Sequence, residues 1–131
     1  LGTGSGYQTA LLAEICAEVL STERIQPLGH LARKRLDSMG YTNTEIVAAG
    51  ETLGCPEKAP FDAIIVSASA PRLPANLIGQ LNRGGRMVIP VGTRQIQDLL
   101  KITRTQNSYS VETITQCSFV PLLGNGAWPD D

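Results

Sequence analysis

The sequence predicts an α/β fold built on a mostly parallel sheet that closes with a C-terminal antiparallel hairpin. Three observations carry this. Helix-type and strand-type patterns alternate from residue 9 to residue 89. Two strands in that stretch, residues 63–66 and 87–89, are continuous apolar runs of the kind covered on both faces. Beyond them, residues 99–105 and 111–120 alternate, are rich in Thr, Ile and Val, and flank a turn at Gln106, Asn107 and Ser108.

Each element has a local cause. Residues 9–16 form a helix pattern with Leu11, Leu12 and Ile15 on one face. A short strand over residues 19–22 ends at Glu23. The next helix starts near Ile25 or Pro27 and runs to Met39. Proline suits its first turn, Gly40 suits the position after its end, and Arg33, Lys34 and Arg35 sit where the helix dipole favours cations. The lone His30 falls among Leu28, Leu31 and Ala32 and reads as a surface or packing residue. Residues 45–48 form a short strand, and residues 50–60 read as a Gly- and Pro-rich loop. Residues 73–81 form a short helix and Asn82 to Gly85 a turn; Pro90 and Gly92 stop the strand that follows. Residues 1–124 are expected to form one core and residues 125–131 a loose tail.

Composition narrows the function classes. The 131 residues suffice for one domain, with 42% hydrophobic and 18% charged residues. Eleven basic against 12 acidic residues give a net charge of −1. That balance provides no electrostatic footprint for nucleic acid or an anionic membrane. No apolar run approaches the roughly 20 residues of a membrane span, and no signal peptide is expected. Cys16, Cys55 and Cys117 are widely spaced, suit no metal, and read as reduced thiols of a cytoplasmic protein.

The chemistry concentrates at the start. Gly2, Gly4 and Gly6 stand at alternate positions before a helix, with Thr3 and Ser5 between them. Glycine lets the backbone turn tightly and approach a ligand, and the helix N-terminus offers unpaired N–H groups. A dinucleotide fingerprint places its third glycine one position later, where Tyr7 stands. Glycine at every second position suits S-adenosylmethionine, which has no pyrophosphate. Glu23 ends the next strand, near the spacing at which an acidic side chain meets ribose hydroxyls in related folds. Such a loop should also follow a buried strand, of which only Leu1 is present, so the sheet is expected to lack that member.

The stretches GTGSGYQTA and STER resemble the cofactor motifs of the protein-L-isoaspartate O-methyltransferases. APFDAIIVSASAP, LIGQLNRGGRMVIPVG and FVPLLG resemble later segments of that family, in the same order. The resemblance implies a Rossmann-like, class I S-adenosylmethionine-dependent methyltransferase. It implies methyl transfer to the α-carboxyl group of L-isoaspartyl residues in damaged proteins, a repair reaction. Gly2, Thr3, Gly4, Ser5 and Gly6 would line the cofactor, Glu23 would bind its ribose, and residues 67–71 would border the substrate opening.

Two departures from the family pattern stand out. The family carries Gly-Asp-Gly after its third strand, the Asp contacting adenine; here Ala49, Gly50 and Glu51 occupy those places, so Gly50 and Glu51 are the adenine-side candidates. The family's N-terminal helical segment, which bears a Ser or Thr near the reacting carboxylate, is not represented, so no catalytic residue is assigned. The alternatives are a weakly binding or inactive fragment of such an enzyme, a small-molecule methyltransferase on the same fold, or a dinucleotide-binding protein. Asn125-Gly126 is expected to deamidate, because glycine leaves the ring-closing path open.

Overall fold

A computed structural model describes residues 1–130. The chain divides into two compact units, Leu1–Gly50 and a second from Glu51 onward.

The first unit is two helices on a parallel strand pair. Helix α1 (Tyr7–Ile15) starts directly after Gly6, whose φ of 88° is a left-handed conformation that glycine adopts without penalty. Strand β1 (Val19–Glu23) pairs in parallel with β2 (Thr44–Ala48), with helix α2 (Gln26–Ser38) crossing between them. Pro27 lies in the first turn of α2, and Gly40 follows its end with φ 82°. Ala32 and Leu36 are fully buried on the inner face of α2. Asn43 closes α1 from a distance, donating through Nδ2 to the carbonyls of Ala13 (2.8 Å) and Cys16 (3.1 Å).

The expected apolar face of α1 is not its inner one. Thr9 and Ala13 are buried, whereas Leu11 is 51% and Ile15 81% exposed. The helix is rotated by a polar contact: Thr9 Oγ1 reaches Ser21 Oγ at 3.2 Å, which turns the face of Thr9 and Ala13 toward β1. His30 is exposed.

The second unit is a four-stranded sheet in the order β3-β4-β5-β6. Strand β3 (Phe61–Ile65) pairs in parallel with β4 (Leu81–Gly92); β5 (Gln97–Arg104) and β6 (Tyr109–Cys117) add antiparallel ladders. Helix α3 (Ala75–Ile78) is the short crossover before β4. Two parallel ladders are thus followed by two antiparallel ladders that include the C-terminal hairpin expected from the sequence. Ile64, Met87 and Ile102 lie side by side across β3, β4 and β5, and all three are buried. With Leu77, Leu81 and Ile89 they form the core; each fully buried side chain contributes about 1.5–3 kcal/mol.

Two details differ from the sequence expectation. The turn at Asn82 to Gly85 is a register shift inside β4, between the pairs Phe61↔Leu81 and Ala63↔Arg86. Gly84 there has φ 75°, and a Cβ on Gly85 would lie 2.8 Å from the Asn82 carbonyl oxygen. Strand β3 is covered less than its apolar run implies, with Asp62 and Ala63 exposed, because it is the edge of its sheet.

The final segment makes backbone pairings as far as residue 128. Bridges join Ser69 to Pro121 and Leu123 to Trp128, and Arg94 lies 5.0 Å from the Trp128 ring centroid. Gln97, 2% exposed, accepts the Phe119 N–H at Oε1 (2.8 Å) and donates to the Thr93 carbonyl. The partners of Ser69, Arg94 and the Phe119 N–H are remote in sequence, so local periodicity carries no trace of them. Asp131 lies outside the described residues.

No described helix is long and apolar enough to cross a membrane. The three cysteines are free thiols: Cys16 exposed, Cys55 buried and Cys117 half-buried. Burial and the hydrogen bond from Cys55 Sγ to Glu57 Oε1 (3.1 Å) push the Cys55 thiol up; burial and Asp98 do the same for Cys117. A raised thiol pKa leaves less reactive thiolate near neutral pH. Alkylation of the native protein, mapped by mass spectrometry, is therefore expected at Cys16 first, with Cys55 modified only on unfolding. Labelling of Cys55 as fast as Cys16 would contradict this packing.

Candidate cofactor site

The site is built where β1 meets the loop before α1. Gly2 N and Thr3 N both donate to the Thr22 carbonyl, at 3.0 and 3.2 Å, which lays the loop along the end of β1. Gly2, Gly4 and Gly6 have φ of 88°, 56° and 88°, so three of five consecutive residues are left-handed. This is the physical requirement for glycine there: other residues pay about 1–2 kcal/mol in that conformation. Gly6 has a second reason, since a Cβ on it would lie 3.2 Å from Ala32 Cβ on α2.

Glu23 ties the loop to the strand. Its Oε2 accepts the Gly4 N–H at 2.8 Å and its Oε1 the Ile25 N–H at 2.9 Å. The side chain is largely buried, and Gly29 of α2 makes room beside it: a Cβ there would stand 3.5 Å from Glu23 Cβ. A carboxylate offers about four acceptor positions, so each oxygen retains capacity for a further donor such as a hydroxyl.

A buried hydroxyl cluster lies behind the loop. Thr3 Oγ1 and Ser21 Oγ are 2.5 Å apart, Thr3 Oγ1 also donates to the Thr22 carbonyl (3.1 Å), and Thr9 completes the group through Ser21. Sequence reasoning did not single out Ser21, Thr9 or Gly29. Ser21 had a usable signal: it lies two residues before Glu23 and therefore on the same face of β1. Arg35 Nη1 donates to the Ser5 carbonyl at 3.2 Å, a tie from α2 to the loop tip.

The loop leaves open ground in front. A Cβ on Gly4 would meet nothing within 4 Å. Helix α1 has no acidic residue in its first turn, and its Tyr7 N–H reaches Ser5 Oγ at a long 3.4 Å, so the positive end of its dipole suits an electron-rich ligand. Ala49 N donates to the Glu23 carbonyl (2.9 Å), which brings the exposed Gly50 to the end of β2 beside β1. Of the candidates, Gly2, Thr3, Gly4, Ser5, Gly6, Glu23 and Gly50 thus belong to one unit, whereas exposed Glu51 opens the other.

Residues 67–71 lie in the second unit. Ser69 and Ala70 are fully buried and stitched in place: Ser69 N donates to the Val120 carbonyl (2.7 Å), Leu122 N to that of Ser69 (2.8 Å), and Ala70 N to that of Pro90 (2.9 Å). Ser67 and Pro71 are the half-buried ends of the segment. Among the described residues, no group of three or more His, Cys, Asp or Glu could hold a metal ion.

Strand, glycine loop, helix and strand-end carboxylate together define a Rossmann-like domain of the class I S-adenosylmethionine-dependent methyltransferases. Within that class, the family model for protein-L-isoaspartate(D-aspartate) O-methyltransferase matches residues 1–127, and the chain belongs to that family. A Syntrophus aciditrophicus protein-L-isoaspartate O-methyltransferase is 51% identical over 131 residues, covering 98% of this chain and 60% of the relative. A Plasmodium falciparum beta-aspartate methyltransferase, solved with S-adenosyl-L-homocysteine, superposes with a TM-score of 0.79 at 27% identity, covering 95% of this chain and 64% of that one. A further protein-L-isoaspartate O-methyltransferase structure gives a TM-score of 0.86 at 23% identity, over 96% of this chain and 41% of the other, and speaks for the fold. The chain spans about 60% of the length of the curated relatives it matches.

Proposed function

We propose that this chain is the S-adenosylmethionine-binding core of an enzyme that methylates the α-carboxyl group of L-isoaspartyl residues in damaged cytoplasmic proteins. The observation that carries the reading is the Glu23 carboxylate, fixed by the Gly4 and Ile25 N–H groups at the end of β1, within a chain matched by the isoaspartyl methyltransferase family over residues 1–127.

S-adenosylmethionine supplies a methyl group already activated on a sulfonium. The backbone of Gly2, Thr3, Gly4, Ser5 and Gly6 lines the cofactor, and Glu23 accepts hydrogen bonds from the ribose diol. Gly50 and Glu51 border the adenine, and residues 67–71 border the substrate opening. The core extends over residues 1–124. An isoaspartyl carboxyl is ionised at neutral pH, so these residues need to position and exclude water rather than remove a proton. No residue of the chain is assigned as catalytic. The balanced charge supports a protein substrate rather than nucleic acid.

Radiolabelled methyl transfer is expected to an isoaspartyl peptide and not to its aspartyl counterpart or to small carboxylic acids. Transfer to the small acids alone would favour a small-molecule methyltransferase. Cofactor binding without any transfer would identify this 60% span as a binding fragment.

A further inference from the structure

We infer that Asn125-Gly126 is a spontaneous modification site whose conversion to isoaspartate opens the turn that holds Trp128. This inference is independent of the proposed methyl transfer, because the chemistry needs only water. The amide nitrogen of Gly126 attacks Asn125 Cγ, a C–N bond forms, the nitrogen loses its proton to solvent, and ammonia leaves. Water then opens the succinimide at either carbonyl, giving aspartate or isoaspartate.

Three features single out this asparagine. Asn125 and Gly126 are both exposed. Gly126 presents no Cβ to the incoming carboxamide and already holds φ 91°. The other exposed asparagines, Asn82 and Asn107, precede Arg83 and Ser108, which carry a Cβ and whose N–H groups donate to Asn82 Oδ1 at 3.0 Å and to Thr105 Oγ1 at 3.1 Å. Exposure and the missing Cβ at Gly126 therefore favour position 125.

The consequence follows from the hydrogen bonds around the site. Ala127 N donates to the Gly124 carbonyl (3.0 Å), Gly124 N to the Trp128 carbonyl (2.9 Å), and Trp128 N to the Leu122 carbonyl (3.0 Å). Isoaspartate at 125 routes the main chain through the side chain and inserts one extra carbon inside every one of these rings. The closed turn cannot keep its length, so Trp128 leaves its place 5.0 Å from Arg94. Trp128 is the only tryptophan of the sequence and so reports the change by itself.

The test is prolonged incubation at mildly alkaline pH, with chymotryptic mapping by electron-transfer fragmentation and tryptophan emission recorded on the fractionated species. Isoaspartate is expected at 125 before 107, with a red-shifted emission in the isoaspartyl fraction. Asn125→Gln should keep its emission throughout, and Asn125→Asp, which adds the charge without the extra carbon, should match the fresh protein. Hydrogen exchange over residues 122–128 in aged against fresh wild type gives the same reading without any variant. An aged protein with only Asn at 125, an isoaspartyl fraction with unchanged emission and exchange, or a shift already present in Asn125→Asp would overturn the inference.

Discussion

Glu23→Gln is expected to weaken S-adenosylhomocysteine binding by about 10- to 100-fold, from the loss of hydrogen bonds to a charged acceptor worth about 1.5–3 kcal/mol each. In the native loop one carboxylate oxygen faces Gly4 N–H and the other Ile25 N–H. A carboxamide keeps one acceptor and turns an NH2 group toward the second N–H. That donor–donor contact leaves a buried group unpaired, so the variant should also lose about 1–3 kcal/mol of stability. Calorimetric titration and thermal unfolding measure the two losses separately. Gly4→Ala isolates the ligand contribution: its Cβ meets no protein atom within 4 Å, so the fold bears only the left-handed cost of about 1–2 kcal/mol. Unchanged affinity in both variants would remove the loop and Glu23 from the cofactor site.

Gly54→Val is expected to destabilise the second unit by about 3–5 kcal/mol, the sum of a left-handed β-branched residue and two broken buried hydrogen bonds. Gly54 has φ 84°, and a Cβ on it would overlap the Gln80 carboxamide oxygen and lie 2.9 Å from Leu77 Cδ2. Gln80 cannot simply swing aside. It is buried, accepts the Cys55 N–H at 2.9 Å and donates to the Leu53 carbonyl at 2.8 Å, so moving it leaves both backbone groups unpaired. A loss of this size is a large part of an ordinary domain's 5–15 kcal/mol. Denaturant unfolding followed by Trp128 fluorescence reads it. A midpoint equal to that of the wild type would show that the loop from Leu53 to Cys55 is not pinned as described.

What could be read in advance was mostly local. The glycine spacing at residues 2–6 and the acidic end of β1 are sequence-near signals, and the structure places them in direct contact. The hairpin was legible because alternation and a polar turn suffice to mark it. The inner face of α1 was not. Leu11 and Ile15 have the apolar spacing, but Thr9 is drawn inward by Ser21, a partner 12 positions away. Gly29 carries no local signal, because the group that requires it is Glu23 on β1, 3.5 Å from where its Cβ would stand. Asn43, Gln80 and Gln97 each satisfy backbone groups 22 to 30 residues away, which no periodicity encodes. Ser69 and the residues after 120 are ordered by the same kind of remote pairing.

The loop from Gly2 to Gly6, closed by Glu23, is proposed to hold the methionine and ribose side of S-adenosylmethionine. Calorimetric titration of this chain with S-adenosylhomocysteine tests it most directly. Saturable binding of one equivalent, weakened by Glu23→Gln, is expected. An absence of heat at about 1 mM ligand, equivalent to binding weaker than about −4 kcal/mol, would contradict it.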